Sequence, residues 1–415
     1  MLFELLSLTA GTLGFIRTEN DGFELAAAVF TDVFENWHDD TPANLSSVVR
    51  NNGQRQQSCY IIIDRQMSES TDPLQELFVP RRRFRGPHAQ TLAGNFLRRT
   101  SLLPTAEERL FQVEPEVQVL CHCHWQAERS SRLTLVIVHG LEGSSSSQYV
   151  VGTGSKAWEK GWNVVRMNVR NCGGTEKLAA TLYHSGLSGD IRSVVGTLIG
   201  EERLEHLALV GFSMGGNQVL KCMGEWSSEA PKEIVAAAGV SPACDLSISA
   251  DALHRPGNRI YEWKFLIGLR KRMRRKAELF PGKFDVSNLK MVRSIRDFDE
   301  LITARYMGFE SAEDYYSKAG ASRVVDRIAL PTLIIHSADD PFIVMNPETE
   351  AKFEANPSIT YLRTENGGHC AFLAEPNGYD GRWAERQVIA FLDRELARRQ
   401  TEPAETQSAE TSPQK

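Results

Sequence analysis

Short apolar runs separated by helical periodicity set the rhythm of this chain. Leu133 to Val138, Trp162 to Val169, Leu207 to Val210 and Ile234 to Val240 are each bounded by polar or glycine-rich sequence. Their near-continuous hydrophobicity predicts strands covered on both faces, as in the middle of a parallel sheet. Between them apolar residues recur at helical spacing, most clearly at Ile191, Val194, Val195, Leu198 and Ile199. Such alternation is the signature of βαβ units. Thr332 to Ile335 and Ile359 to Leu362 continue the sheet, and Trp383, Val388, Phe391, Leu392 and Leu396 fall on one face of a closing helix.

Two stretches depart from this rhythm. Residues 108 to 125 alternate apolar and polar through Leu110, Val117, Val119, Cys121 and Cys123, which predicts an antiparallel hairpin with one wet face. Leu246 to about Val325 contains helical stretches and no convincing strand, and reads as a helical lid inserted into the sheet order. Within it, the basic run Arg270 to Lys276 reads as a solvated helix face, with weak contact to an anionic membrane surface as the lesser reading. The fold class expected is therefore α/β: a mostly parallel central sheet flanked by helices, with a lid and an N-terminal antiparallel hairpin.

Residues 1–70 mix an apolar start, an acidic segment and a polar run without sustained periodicity, and are expected to form a poorly structured extension. The folded domain is expected over 74–399, and the polar residues 400–415 as a disordered tail. The 415 residues carry a net charge of -6, which gives no reason to expect nucleic acid as a partner. The basic segment from Phe78 to Arg99 reads as a cover for one edge of the domain. Seven scattered cysteines, an odd number, favour a reducing compartment and a cytoplasmic location. Glu4 and the lack of a basic start argue against a secretory signal, and no apolar run is long enough to cross a bilayer. In Cys121-His122-Cys123-His124, alternate residues of a strand would point to opposite faces, so no metal site is expected there.

The chemistry centres on Gly211-Phe212-Ser213-Met214-Gly215, directly after an apolar strand. A serine on so sharp a strand-to-helix turn requires glycines two residues to either side, where any Cβ would collide with neighbouring chain. Ser213 is the expected nucleophile, with His369, glycine-flanked after the last strand, as its base. Asp339 and Asp340 compete for the acid, and Asp340 is preferred because it stands just before the apolar pair Phe342-Ile343. Backbone N–H groups of Met214 and of Leu141, in the His139-Gly140-Leu141 turn, are the expected oxyanion donors. His139 itself is expected to shape the turn, and Cys172 to be structural.

With Gly86-Pro87-His88-Ala89-Gln90-Thr91, His139 to Ser144, Arg170-Asn171-Cys172-Gly173-Gly174, Tyr183-His184-Ser185-Gly186, Asp339-Asp340-Pro341-Phe342 and Gly367-Gly368-His369 added to the serine motif, the chain resembles the YheT-like branch of the α/β-hydrolases. The resemblance spans about Phe78 to Arg398. It implies serine esterase or lipase activity on short- or medium-chain acyl esters or lipids, no cofactor, and a small-molecule or lipid ester as partner. Two other readings stay open: an acyltransferase that makes fatty-acid esters from the same acyl-enzyme, and a catalytically silent binding module. Nothing in the sequence sets the oligomeric state.

Overall fold

The computed structural model describes residues 74, 76–97 and 99–401. The expectations for residues 1–70 and for most of the C-terminal tail lie outside the described residues; Gln400 and Thr401 extend the closing helix.

The strands are β1 (Glu107–Glu114), β2 (Val117–His124), β3 (Leu133–Val138), β4 (Asn163–Met167), β5 (His206–Phe212), β6 (Ile234–Val240), β7 (Thr332–Ser337) and β8 (Ile359–Thr364). They form one sheet in the order β1-β2-β4-β3-β5-β6-β7-β8. β1 and β2 form the expected antiparallel hairpin, β2 also runs antiparallel to β4, and every other pairing is parallel. All six residues of β3 are buried, as are all seven of β6. The exposed positions of β1 mark it as an edge strand, which is why its pattern alternates while those of the central strands do not.

Side chains leave a strand alternately to its two faces, so β3 feeds two cores. Leu133, Leu135 and Ile137 join Val164, Val210 and Phe212 under helices α2 (Gln148–Glu159) and α10 (Trp383–Thr401). Val136 and Val138 join Val165, Met167 and Leu209 under α3 (Ser188–Gly200) and α4 (Met214–Trp226). Each fully buried Val, Leu or Ile contributes about 1.5–3 kcal/mol of transfer free energy, so the central strands anchor the loops at their carboxyl ends.

Helix α1 (Pro87–Phe96) precedes the hairpin. The lid lies between β6 and β7 and comprises α5 (Leu246–Leu253), α6 (Arg259–Leu279), a short α7 (Ile295–Phe298) continuing into a π-helical turn Asp299–Ala304, and α8 (Ala312–Ala319). α9 (Pro347–Ala355) joins β7 to β8.

One expectation for the lid needs correction. The basic run 270–276 is not a uniformly solvated face. Lys276 is fully buried, with its ammonium donating to Asn171 Oδ1 at 3.1 Å and to the carbonyls of Glu176 and Ala179. Arg272 also turns inward, onto Glu142 and Glu176. The loops after β3 and β4 present carbonyls and carboxylates toward the lid, and one side of the cationic helix satisfies them.

Candidate active site

β3 is followed on one side of the sheet by β4 and on the other by β5, so the chain reverses direction at this point. In open α/β sheets a ligand crevice forms at such a switch, outside the carboxyl ends of the strands. Ser213 follows β5 and Leu141 follows β3, on that same edge.

Ser213 adopts φ 54°, ψ -119°, a strained conformation for a residue with a side chain. Three backbone hydrogen bonds hold it there. Its N–H donates to the Val240 carbonyl at 2.9 Å, and its carbonyl accepts from Asn217 at 3.0 Å and Ala243 at 3.2 Å. The flanking glycines are sterically required: a Cβ on Gly211 would overlap the Gly215 carbonyl, and one on Gly215 the carbonyls of Val138 and His139. Met214 opens α4, where the first N–H groups have no acceptor within the helix.

The opposite wall of the turn is set by His139. Its Nδ1–H donates to the Gly140 carbonyl at 2.8 Å and its Nε2 accepts the Val169 N–H at 3.1 Å, a pattern that defines a neutral ring. Burial pulls its pKa down to about 4. Both nitrogens are thereby committed to the backbone, leaving neither for proton transfer. Cys172 is fully buried in the core.

His369 Nδ1 lies 2.8 Å from Asp340 Oδ2. Asp340 Oδ1 accepts the N–H groups of Phe342 at 3.2 Å and Ile343 at 2.9 Å, so the carboxylate is held by the backbone of the apolar pair that follows it. Burial drives the Asp340 carboxyl upward, but the His369 charge and hydrogen bond, helped by His336 and the Ile343 N–H, hold it below the usual carboxylate range. Burial lowers the His369 pKa, and the neighbouring Asp340 overrides it, so the imidazole stands above its ordinary 6.5. Asp339 instead turns to the turn backbone, accepting the Gly368 N–H at 2.9 Å and the Ser337 hydroxyl at 3.0 Å.

The two halves meet at Val240. Its carbonyl accepts the Ser213 N–H and, at 3.7 Å, the Cys370 thiol, while the Cys370 N–H donates to Ser241 Oγ at 3.1 Å. Phe342 packs on the His369 ring with centroids 4.3 Å apart, and it lines the same cavity as Ser213. That cavity holds about 960 Å³ of atom-free space, its open mouth included, and Leu141 and Met214 share its wall with Leu182, Leu253, Phe265 and Met273.

The loop that carries His369 is supported from α1, by residues with no catalytic signature of their own. Gln90 and Thr91, both buried on α1, hold that loop: Thr91 Oγ1 accepts the His369 N–H at 2.9 Å, while Gln90 exchanges hydrogen bonds of 2.8 and 3.0 Å with the Leu373 backbone. Two polar residues within the motif Gly86 to Thr91 were the available signal. In the hairpin, Cys121 and Cys123 point into the core, His122 faces Glu108 at 3.4 Å, and His124 accepts from Arg166 at 3.2 Å.

The family model for the alpha/beta hydrolase fold matches residues 134–376, and the chain belongs to that family. Within it, the chain is 33% identical over 321 residues to YheT, a candidate esterase of Escherichia coli (strain K12), covering 76% of this chain and 92% of that protein. Phospholipase ABHD3 of Mus musculus is 26% identical over 271 residues, 65% of this chain and 64% of its own length. The medium-chain fatty acid ethyl ester synthase/esterase 2 of Saccharomyces cerevisiae is 27% identical over 317 residues, 68% and 66% of the two chains.

Proposed function

We propose that this chain is a serine hydrolase of carboxylic esters, with Ser213 as nucleophile, His369 as general base and acid, and Asp340 as the acid that orients it. The observation that carries this reading is the strained Ser213 turn on the same sheet edge as the 2.8 Å His369–Asp340 pair. Ser213 Oγ attacks the ester carbonyl as its proton passes to His369 Nε2. The oxyanion is received by the N–H groups of Leu141 and Met214, each such donor being typically worth about two to three orders of magnitude in rate. Collapse expels the alcohol with the proton from His369 and leaves an acyl-enzyme. Water, deprotonated by His369, then releases the acid and restores Ser213.

The apolar lining of the cavity favours esters of short or medium acyl chains, or lipids, as do the names of the relatives. Six free cysteines among the described residues fit a reducing, cytoplasmic setting. A chain-length series of p-nitrophenyl esters tests the reading: turnover should vanish in Ser213→Ala, and a profile shared by both proteins would place the activity elsewhere. Fluorophosphonate labelling of the wild type but not of Ser213→Ala should accompany it, and a wild type that fails to label would favour a catalytically silent module.

The name of the yeast relative favours a second reading, in which an alcohol replaces water in deacylation and an ester is the product. Adding ethanol and analysing products separates the two.

A further inference from the structure

Lid helix α6 has two unlike faces. Phe265, Leu269, Arg272 and Met273 line the cavity. Arg259, Trp263, Ile267, Lys271 and Arg274 are exposed. At about 100° per residue these five fall within a sector of about 120°. Trp263 keeps 56% and Ile267 44% of its surface in solvent. Lys264 places its ammonium 5.9 Å from the Phe96 ring centroid, which brings the exposed last residue of α1, Phe96, beside this face, with the exposed Leu97 directly after it.

The charges on the face are nearly all of one sign. Arg259, Lys271 and Arg274 have no ion pair among the described residues, and Arg275 is paired with Glu278 at 3.0 Å. A solvated surface accounts for the cations but not for Trp263 and Ile267, which would gain by leaving water. A second copy of the chain could cover the apolar pair, but two-fold pairing would set the same cations against one another. An anionic lipid surface suits both sets of groups. An indole and an aliphatic side chain enter the headgroup boundary while flanking cations meet lipid phosphates.

We infer that the outer face of α6, with Phe96 and Leu97, docks on anionic lipid surfaces. Docking itself does not depend on the hydrolase chemistry. If the ester reading holds, it would set the lid over the phase in which lipid esters collect.

The test uses the full chain as Ser213→Ala, so that no vesicle lipid is consumed, with phosphatidylcholine vesicles containing or lacking about one-third phosphatidylserine. The protein should sediment with the anionic vesicles only, and be released as salt rises. Each of Lys271→Ala and Arg274→Ala should lower partitioning about fivefold, the equivalent of roughly 1 kcal/mol per cation. Trp263→Ala should weaken it as well. In the Ser213-containing protein, none of the three should change turnover of a water-soluble short-chain ester. Equal binding to neutral and anionic vesicles, undiminished binding by the variants, or a concentration-dependent dimer that Trp263→Ala dissolves without any vesicle binding, would each overturn the inference. Vesicle binding without any esterase activity would leave docking in place and count against the hydrolase reading alone.

Discussion

Arg272 on the lid grips Glu142 on the turn that follows β3, with Nε 3.0 Å from Oε1 and Nη2 3.2 Å from Oε2. Tyr183 donates to the same Oε1 at 2.7 Å. Glu142 sits at φ 56°, a conformation costly for a residue with a side chain, and it directly follows Leu141. The lid thereby fixes the backbone that carries one proposed oxyanion donor.

Loosening this clamp should cost turnover more than binding. Arg272→Met is expected to lower kcat about ten- to a hundredfold, less than outright loss of a donor, with a smaller change in KM. Glu142→Gln, which can still accept from Tyr183, should lose less than Glu142→Ala. Steady-state kinetics on a soluble ester decides it: a rise in KM with kcat intact would make Arg272 a substrate contact only.

The neighbouring aspartates should separate cleanly. Asp340→Asn removes the charge facing His369 Nδ1, and a loss approaching four orders of magnitude in kcat is expected from the comparable change in a serine protease. Asp339→Asn weakens hydrogen bonds to Gly368 and Ser337, so it should act mainly on thermal stability, by about 1 kcal/mol. A larger kcat loss in Asp339→Asn would reverse the assignment.

The same pair sets the pH response. In the proposed mechanism only a neutral His369 accepts the Ser213 proton, so kcat/KM should rise with pH along a limb whose apparent pKa lies above 6.5, because Asp340 favours the charged imidazole. Asp340→Asn should move that limb to lower pH. Stability runs the other way. A raised histidine pKa stabilises the fold fully below 6.5, and this contribution is lost as pH climbs through the folded value. The lowered Asp340 pKa contributes above 3.8, and its share is lost as pH falls through the folded value. Paired pH–rate and pH–melting profiles check both signs; a limb below 6.5 in the wild type would contradict the electrostatics.

The sharp turn at Ser213 and the central strands are legible because their signals are local: a glycine spacing forced by steric contact, and hydrophobic runs forced by burial on two faces. Asp340 rather than Asp339 faces His369, and its place before Phe342-Ile343 has a physical reason in the contacts with those two N–H groups. The lid cations were not legible. Arg272 and Lys276 are four apart and so share a face, but nothing in their spacing says that this face meets Glu142, Glu176 and Asn171 from elsewhere in the chain. The same holds for Arg170, which is buried and joins Asp190 on α3 to Glu114 on β1. Partners so distant in sequence leave no periodic trace.

Asp299 is a buried carboxylate in the cavity wall that faces hydroxyls and no paired cation. It begins the π-helical turn and accepts from Thr303 Oγ1 at 2.7 Å and Tyr316 OH at 2.8 Å, with no ion pair among the described residues. Burial outweighs these donors and raises its pKa from 3.8 to about 6. A raised carboxyl pKa means that the folded state binds the proton more tightly. Wild-type stability should therefore fall as pH rises through this interval, by roughly 3 kcal/mol in all. Asp299→Asn carries no such penalty. Relative to wild type, the variant should melt highest above about pH 7, and the advantage should shrink or reverse toward about pH 4. A melting-temperature difference that stays constant across this range would show that Asp299 is held by its hydroxyl partners without a protonation cost.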